Sequence, residues 1–431
     1  MIGIDWGTSS SSVGYVGAEG ARLLPITADG STRLPSTAFV PRTPAYDAPT
    51  DEMGAARVLT PELLRRGRLA FGDAATAAML EGDDGFYVKS PKSFLGAELR
   101  ERQIDNFTAL VARMLGELLA RTAEAIGERP KGAVIGRPVR YHGTRGADGD
   151  RQAIEVMDRA ARVAGLEQVS FLLEPVAAAY AYEAQLNDER LVLVVDAGGG
   201  TTDLTLVRLG PERADRADRS ADVLGTAGDR IGGTDLDARL AFRAFTPALG
   251  RESKLDNGLP VPNHYYVDLC TVADVNAQSR FGSEATGEAL EDYLARAEVP
   301  AQVARLLRLH ETGGSFRFNR TAERTKIALS DGAEVSADLD WLETNLALPA
   351  RRDDLEWAAL PLLDRIGELA EDVRAQAGAT PDVVFVTGGT ALSPVVADGL
   401  RARLGEVEIV VGDLFGSVAT GLGLAALRTL S

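Results

Sequence analysis

The sequence predicts an α/β protein built of two similar lobes that meet at a ligand cleft, and three observations carry that prediction. Strands alternate with helices along the chain, and the strands end in glycine, as in sheets that bind ligand at their carboxyl ends. The stretch Leu191–Leu209 (LVLVVDAGGGTTDLTLVRL) has the pattern of two strands around a Gly-rich turn. The stretch Ile2–Val16 (IGIDWGTSSSSVGYV) repeats its order of parts: an apolar strand ending in Asp, Gly two residues later, hydroxyl residues, and a return strand.

The later stretch is the more explicit of the two. Leu191–Val195 is an apolar run suited to a strand buried on both faces. Asp196 follows, then Gly198, Gly199 and Gly200 with Thr201 and Thr202. Three successive glycines leave their N–H groups unobstructed and allow positive φ, so the turn can fold around an anion. Asp196 and Asp203 bracket it, where a carboxylate can hold a metal's water shell. A glycine run alone is more often the flexible tip of an ordinary hairpin. The second copy, with Asp5, Gly7, Thr8 and Ser9, points instead to two lobes, each bringing one phosphate turn to a shared cleft.

Composition fits a soluble globular chain of two large domains: 431 residues, 45% hydrophobic and 25% charged. A formal net charge of −17 argues against a nucleic-acid backbone or an anionic membrane as partner. The single cysteine, Cys270, allows no disulfide framework and is expected to be a buried thiol in a reducing compartment. The first strand begins within two residues of the N-terminus and no apolar run approaches a membrane span, so a cytoplasmic location is expected. Only five of the 46 basic residues are lysine (Lys89, Lys92, Lys131, Lys254 and Lys326), a pattern that keeps Lys where a compact point charge is wanted.

In order, residues 23–40 suggest β-structure broken by turns, and 41–61, with four prolines, a surface loop. An Ala-rich helix over 74–80 and the segment YVKSPKSFLG follow, then a helix over 106–126 with apolar residues at helical spacing. Residues 133–139 form a strand, 151–164 a helix that Gly165 stops, and 169–173 a strand. Glu174 stands at the corner where Pro175 opens the next helix; capping is the bland role for such a carboxylate. After the central hairpin, 210–221 has the composition of a charged exposed loop. Gly232 and Gly233 precede a helix over 236–245, a third candidate anion site. Residues 246–345 are expected to be mostly helical, with an irregular segment at 250–266. Within them Glu323, Lys326, Ile327 and Ser330 share one helix face, which by spacing alone is a surface Glu–Lys pair over an apolar residue. Residues 383–394 run from a buried strand through Gly388 and Gly389 into a helix, and 408–411 and 416–427 repeat strand and helix.

Six motifs, IDWGTSSS, EPVAAAYAY, VVDAGGGTTD, IGGTDLD, AERTKIALS and VTGGTALSP, resemble in order and spacing the ATPase domain of the DnaK-type heat shock protein 70 chaperones. YVKSPKSFLG, AVIGRPV and GDLFGSVATGL are similar to the truncated YegD-type homologues in particular. The resemblance implies the two-lobed actin-like fold, duplicated ribonuclease-H-like lobes around a nucleotide cleft. It places lobe I at 1–187, with a subdomain insertion about 40–105, and lobe II at 188–411, with a helical subdomain about 230–345. Residues 412–431 would return to lobe I as a helix.

The same resemblance implies ATP or ADP and Mg²⁺ as cofactors. Asp5, Glu174 and Asp196 would hold Mg²⁺ through water. Gly7, Thr8, Ser9, Thr201, Thr202 and the Gly198, Gly199 and Gly200 amides would cradle phosphates, and Asp203 would help orient the attacking water. Lys92, Glu174, Asp196 and Thr201 would be the catalytic set, with Lys92 against the γ-phosphate. Lys89, three residues earlier, competes for that place, although the spacing to Leu95-Gly96 favours Lys92. Gly232 and Gly233 join the nucleotide contacts. Glu323, Lys326 and Ser330 would meet the nucleoside, with Gly388, Gly389 and Asp413 close by. Where the family carries Arg over the adenine, this chain has Leu392, so the base would lie between Leu392 and Ile327.

The function expected is an ATP-binding, slowly hydrolysing switch read by an unidentified protein partner. Because the sequence stops at Ser431, no peptide-binding domain is expected. Two other readings stay open. A sugar-type kinase needs a general-base Asp facing a sugar-sized pocket, and no candidate stands out beyond Asp5, Asp196 and Asp203. An actin-like filament protein has no specific feature in its favour.

Overall fold

β1 (Ile2–Trp6) and β2 (Ser10–Gly17) form the N-terminal hairpin, with Asp5 opposite Ser12. The computed structural model describes residues 1–41, 64, 67–83, 85–141, 145–214, 216, 219–412 and 416–429. β3 (Gly20–Leu23) and the two-residue β4 (Leu34–Pro35) extend the hairpin along β2. β5 (Thr37–Pro41), β6 (Ala70–Phe71) and β7 (Gly85–Lys89) make a separate small sheet, with α1 (Asp73–Glu81) between β6 and β7. α2 (Glu101–Ile126), β8 (Gly132–Arg137), α3 (Ala147–Val163) and β9 (Gln168–Leu173) complete the first main sheet, in the order β3-β2-β1-β8-β9. α2 and α3 each begin about a turn before their apolar periodicity does, because their first turns are polar and largely exposed.

α4 (Glu174–Glu183) leads from this sheet to the next hairpin, β10 (Arg190–Ala197) and β11 (Thr202–Leu209), in which Asp196 stands opposite Asp203. After β12 (Val223–Asp229) and α5 (Gly233–Leu240) comes a helical region: α6 (Asn263–Cys270), α7 (Val275–Phe281), α8 (Glu284–Arg296), α9 (Pro300–Glu311) and α10 (Ser315–Asp331). It ends in a hairpin, β13 (Glu334–Asp338) and β14 (Ala347–Arg351), so the expectation of helix up to 345 is corrected there. The inward positions of these short strands are Val335, Ala337, Leu348 and Ala350, an alternation of mostly small residues that carries little signal. α11 (Arg352–Ala377) has no counterpart in the sequence expectations, because Pro361 inside it has the look of a break. β15 (Val383–Thr387), α12 (Pro394–Leu404) and β16 (Glu408–Val411) finish the second sheet, β12-β11-β10-β15-β16.

The two main sheets have the same pairing: two antiparallel neighbours on one side of the leading strand and two parallel ones on the other. Each has its own apolar core, and a third core joins them through Val176–Ala179 of α4, Val192 and Val194 of β10, Phe385 of β15 and Leu422. Leu422 belongs to α13 (Ser417–Thr429), which packs on the first sheet at backbone contact. A Cβ added at Gly3 would lie 2.2 Å from Gly423 N, one at Gly14 1.9 Å from Ala419 O, and one at Gly421 1.7 Å from Ala177 O. Glycine at these positions is what lets the helix in.

Two further expectations need comment. The predicted loop at 41–61 lies, apart from Pro41, outside the described residues. The 210–221 segment is not simply exposed: Arg219 is buried, donating to both carboxylate oxygens of Glu183 at 2.9 Å and pairing with Asp222. The paired carboxylates satisfy a guanidinium that composition alone assigns to solvent. Cys270 is buried as expected, and burial pushes its thiol far above the usual range.

Candidate functional site

The carboxyl ends of β1 and β10 open on one cavity of about 590 Å³. The first hairpin contributes Asp5, Gly7, Thr8 and Ser9; the second contributes Asp196, Gly198, Gly199 and Thr201. Lys92 and Glu174 stand between them, and Gly233 closes one side. Glu323, Lys326, Ile327 and Ser330 from α10 meet Gly388, Gly389 and Leu392 at the far end. The wall omits Gly200, Thr202, Gly232 and Asp203. Thr202 is fully buried and donates its hydroxyl to Ile231 O at 2.7 Å, which corrects its expected place at the phosphates. Gly232 sits behind the second turn, where a Cβ would meet Gly198 O at 2.7 Å. Asp413 lies outside the described residues.

Both glycine turns have their carbonyls engaged by the protein. In the first, Ser36 Oγ donates to Gly7 O (2.7 Å), Ser90 Oγ to Thr8 O (2.6 Å) and Ser36 N to Ser9 O (2.9 Å). In the second, Gly233 N (3.0 Å) and Thr390 Oγ1 (2.7 Å) donate to Gly198 O, and Thr234 N to Gly199 O (2.7 Å). Carbonyls held in this way are withheld from a bound anion, which they would repel. The amides of Gly233 and Thr234 are used in the process. The α5 N-terminus therefore buttresses the second turn, rather than offering those two donors to an anion as its Gly-Gly suggested. Gly198 N likewise closes its own turn on Thr201 O (2.9 Å). The tips of the two turns touch: a Cβ at Gly199 would lie 2.0 Å from Ser9 Oγ.

Lys92, on a short 3₁₀ turn at Pro91–Phe94, is buried and ion-paired with Glu174, the first residue of α4. Glu174 pairs across the cleft rather than capping its helix. The residue before this turn, Ser90, has a φ of 57°, one of two described non-glycine residues in the left-handed region. That conformation costs a serine about 1–2 kcal/mol. Asp5, Asp196 and Asp203 crowd the same place. Burial, then Glu174, pushes Asp5 and Asp203 up to about 7. Burial, then Glu174, Asp203 and Asp5, holds Asp196 well above the usual carboxylate range. Burial works against the Lys92 ammonium, but Glu174, Tyr141 and Asp5 outweigh it and raise its pKa. Asp203 accepts from Val139 N at 2.8 Å, and its other oxygen is buried with no partner among the described residues.

At the other end, Glu323 and Lys326 do not pair as neighbours on the helix. Lys326 binds Asp237 of α5 (2.7 Å) and Gly233 O (3.2 Å), whereas Glu323 reaches Lys89 of β7 (3.5 Å). Lys89 thus belongs to the opposite end of the cavity from Lys92. Ile327 and Leu392 keep 60% and 48% of their surface exposed, a half-open apolar rim.

Among the described residues no three carboxylates, histidines or cysteines converge closely enough to ligate a metal directly. The acid cluster nevertheless suits a divalent cation held through its waters. Asp5 and Asp196, which line the cavity with raised pKa values beside one lysine, lack positive charge. Sequence reasoning missed Ser36, Ser90, Tyr141, Thr234, Asp237 and Thr390. A signal for Thr234 and Thr390 existed, since each follows a Gly-Gly pair. Nothing local marks Ser36 or Tyr141, whose roles come from long-range contact.

Paired sheets of one topology, meeting at an acid-lined cleft, define the two-lobed actin-like ATPase class of fold. Residues 91–258 match the family model described as Hsp70 protein. The chain is 33% identical over 242 residues to the chaperone protein DnaK of Elusimicrobium minutum, covering 55% of this chain and 33% of that one. It is 30% identical over 268 residues to the DnaK of Endomicrobium trichonymphae, 61% and 37% of the two chains. Against a DnaK of Thermus thermophilus it is 28% identical over 307 residues, 68% and 39%. The chain is similar to the Hsp70 proteins, a chaperone-type ATPase family whose members bind nucleotide. It spans little more than a third of the length of these curated relatives. Among the described residues no helix is long and apolar enough to cross a membrane.

Proposed function

We propose that the cleft binds ATP and ADP with Mg²⁺ and hydrolyses ATP slowly, so that the lobes act as a nucleotide-driven switch read by a protein partner. The observation that carries this reading is the pair of glycine turns, pinned by their carbonyls, facing the Lys92–Glu174 pair across one cavity. Such chemistry asks the protein for positioning and charge neutralisation, with little covalent work. Thr8, Ser9, Thr201 and the turn backbones orient the phosphates. Lys92 places an ammonium against the γ-phosphate. Asp5, Glu174 and Asp196 hold the water shell of Mg²⁺, which neutralises phosphate charge when bound. Asp203, behind the wall, steadies the segment at Val139. Glu323, Lys326 and Ser330 meet the ribose, and Ile327 and Leu392 flank the base.

In this reading residues 1–187 and 188–411 are the two moving lobes, with the helix after 412 fastening the second to the first, in a cytoplasmic protein. Mg-ADP titration by calorimetry and turnover of ATP, with and without a panel of sugars, test it. No binding at millimolar Mg-ADP overturns the nucleotide reading. Sugar-dependent turnover replaces the switch with a kinase, and light scattering that rises with ATP replaces it with a filament.

A further inference from the structure

The lysine turn and the first phosphate turn are far apart in sequence yet share one small knot of serines. Ser90 stands at its centre. Its hydroxyl donates to Thr8 O at 2.6 Å, its N–H to Ser36 O at 2.9 Å, and its carbonyl accepts from Ser93 N at 2.9 Å, inside the turn that carries Lys92. Ser36 in turn holds Gly7 O and Ser9 O. Ser90 is buried, and its φ of 57° swings the chain from β7 into the Pro91–Phe94 turn. A side chain in an unfavourable backbone region persists where its surroundings over-determine it. Here the three hydrogen bonds do so.

We propose that Ser90 is the positioning residue of Lys92: it fixes the height of the ammonium against the first phosphate turn, an inference that rests on the nucleotide reading for its effect on hydrolysis. Without the hydroxyl, the corner loses its link to Thr8, and Lys92 is located only by Glu174 and by the backbone bonds of its own turn and to Ser36. Thr8 itself stays on its hairpin, held by β1–β2 pairing and by Ser36. Ser90 therefore bears more on the lysine than on the phosphate turn, where Ser36 still holds the Gly7 and Ser9 carbonyls.

Three variants test this in the full chain. Ser90→Gly accepts the left-handed backbone and removes the donor; Ser90→Ala removes the donor without that relief. Ser90→Asn tolerates the left-handed region and regains an N–H donor. Turnover in Ser90→Gly should fall about tenfold or more, as a misplaced charge requires, with a much smaller loss of calorimetric ADP affinity from the freed Thr8 carbonyl. Ser90→Asn should recover most of the loss. A second readout needs no nucleotide: acylation of Lys92 by a small amine reagent, resolved by peptide mass spectrometry. It should quicken in Ser90→Gly relative to Lys131 and Lys254, and slow again in Ser90→Asn. If Ser90→Gly does not fold, Ser90→Ala takes its place against Ser90→Asn. Unchanged Lys92 acylation in the donor-free variant overturns the proposal, as does an equal loss of turnover and of ADP affinity. Wild-type protein that binds no Mg-ADP removes the nucleotide reading alone, and the acylation result still decides what Ser90 does.

Discussion

The two ends of the cavity are made differently. At one end, backbone turns are pinned by buried serines, threonines and helix amides, and charges are enclosed: Lys92, Glu174 and Asp196 are each less than a tenth exposed. At the other, half-open aliphatic side chains and ion pairs between neighbouring elements form a rim. A group enclosed in low dielectric interacts strongly and in one geometry, whereas a rim group is screened and replaceable. The contrast teaches that affinity and chemistry should come from the enclosed end, with only weak discrimination from the rim.

The sharpest test of that division is Lys92→Ala, the largest effect expected. Turnover should fall by about 10²–10³, as when one preorganised charge at a reacting group is lost. ADP affinity should stay within a few-fold by calorimetry. If Lys89→Ala were the variant that abolished turnover, the assignment of the two ends would be reversed.

Next in size is ligand stabilisation. Mg-ADP at about 100 times its dissociation constant should add about 2.7 kcal/mol to unfolding, seen as a rise of several degrees in Tm. Asp196→Asn should remove most of that shift, and Ile327→Ala little of it.

The enclosed acids also predict a pH dependence. Asp5 and Asp203 ionise at about 7 in the fold, against 3.8 for an ordinary aspartate in the unfolded chain. Between those values the native state binds more protons than the unfolded one, so stability falls as pH rises through the window. Below the lower value their contribution is fully present, and above the upper one it is lost. Urea midpoints of the ligand-free protein should therefore decline from pH 5 to pH 8, less steeply in Asp5→Asn and with Mg-ADP bound. A slope identical in Asp5→Asn would place the cause elsewhere.

The smallest effect belongs to the rim. Leu392→Arg places a guanidinium where an adenine face is expected, a contact worth ~0.5–2 kcal/mol. ATP and ADP should both bind a few-fold more tightly by calorimetry, with hydrolysis per bound ATP unchanged. An unchanged or weaker affinity would show that Leu392 does not face the base.

Much of this is legible in sequence wherever a feature is local and repeated. The two Asp-Gly hairpins, the Glu174-Pro175 corner and the strand entering Gly388-Gly389 each declare themselves within ten residues. What escapes is set by distant contact. Lys326 finds Asp237 in place of Glu323 because α5 and α10 pack side by side. Arg219 reads as a solvent residue because its partner Glu183 is 36 residues away. The β13–β14 hairpin shows little alternation by itself, and Pro361 hides α11. Thr202, placed at the phosphates by its neighbours, instead turns to Ile231, since adjacent strand residues face opposite ways.

The close seat of α13 on the first sheet bears on how the molecule comes into being. β1 is made at the start, but the helix that covers it at backbone distance is synthesised about 400 residues later. Until then the faces of Gly3 and Gly14 have no cover, and the first lobe must wait, partly built, while the second is produced. At about 5–20 residues per second that wait is on the order of tens of seconds. Such distant closure makes for slow completion and a long exposure to aggregation. A protein whose relatives are named chaperones would spend its own synthesis among the chains most in need of one.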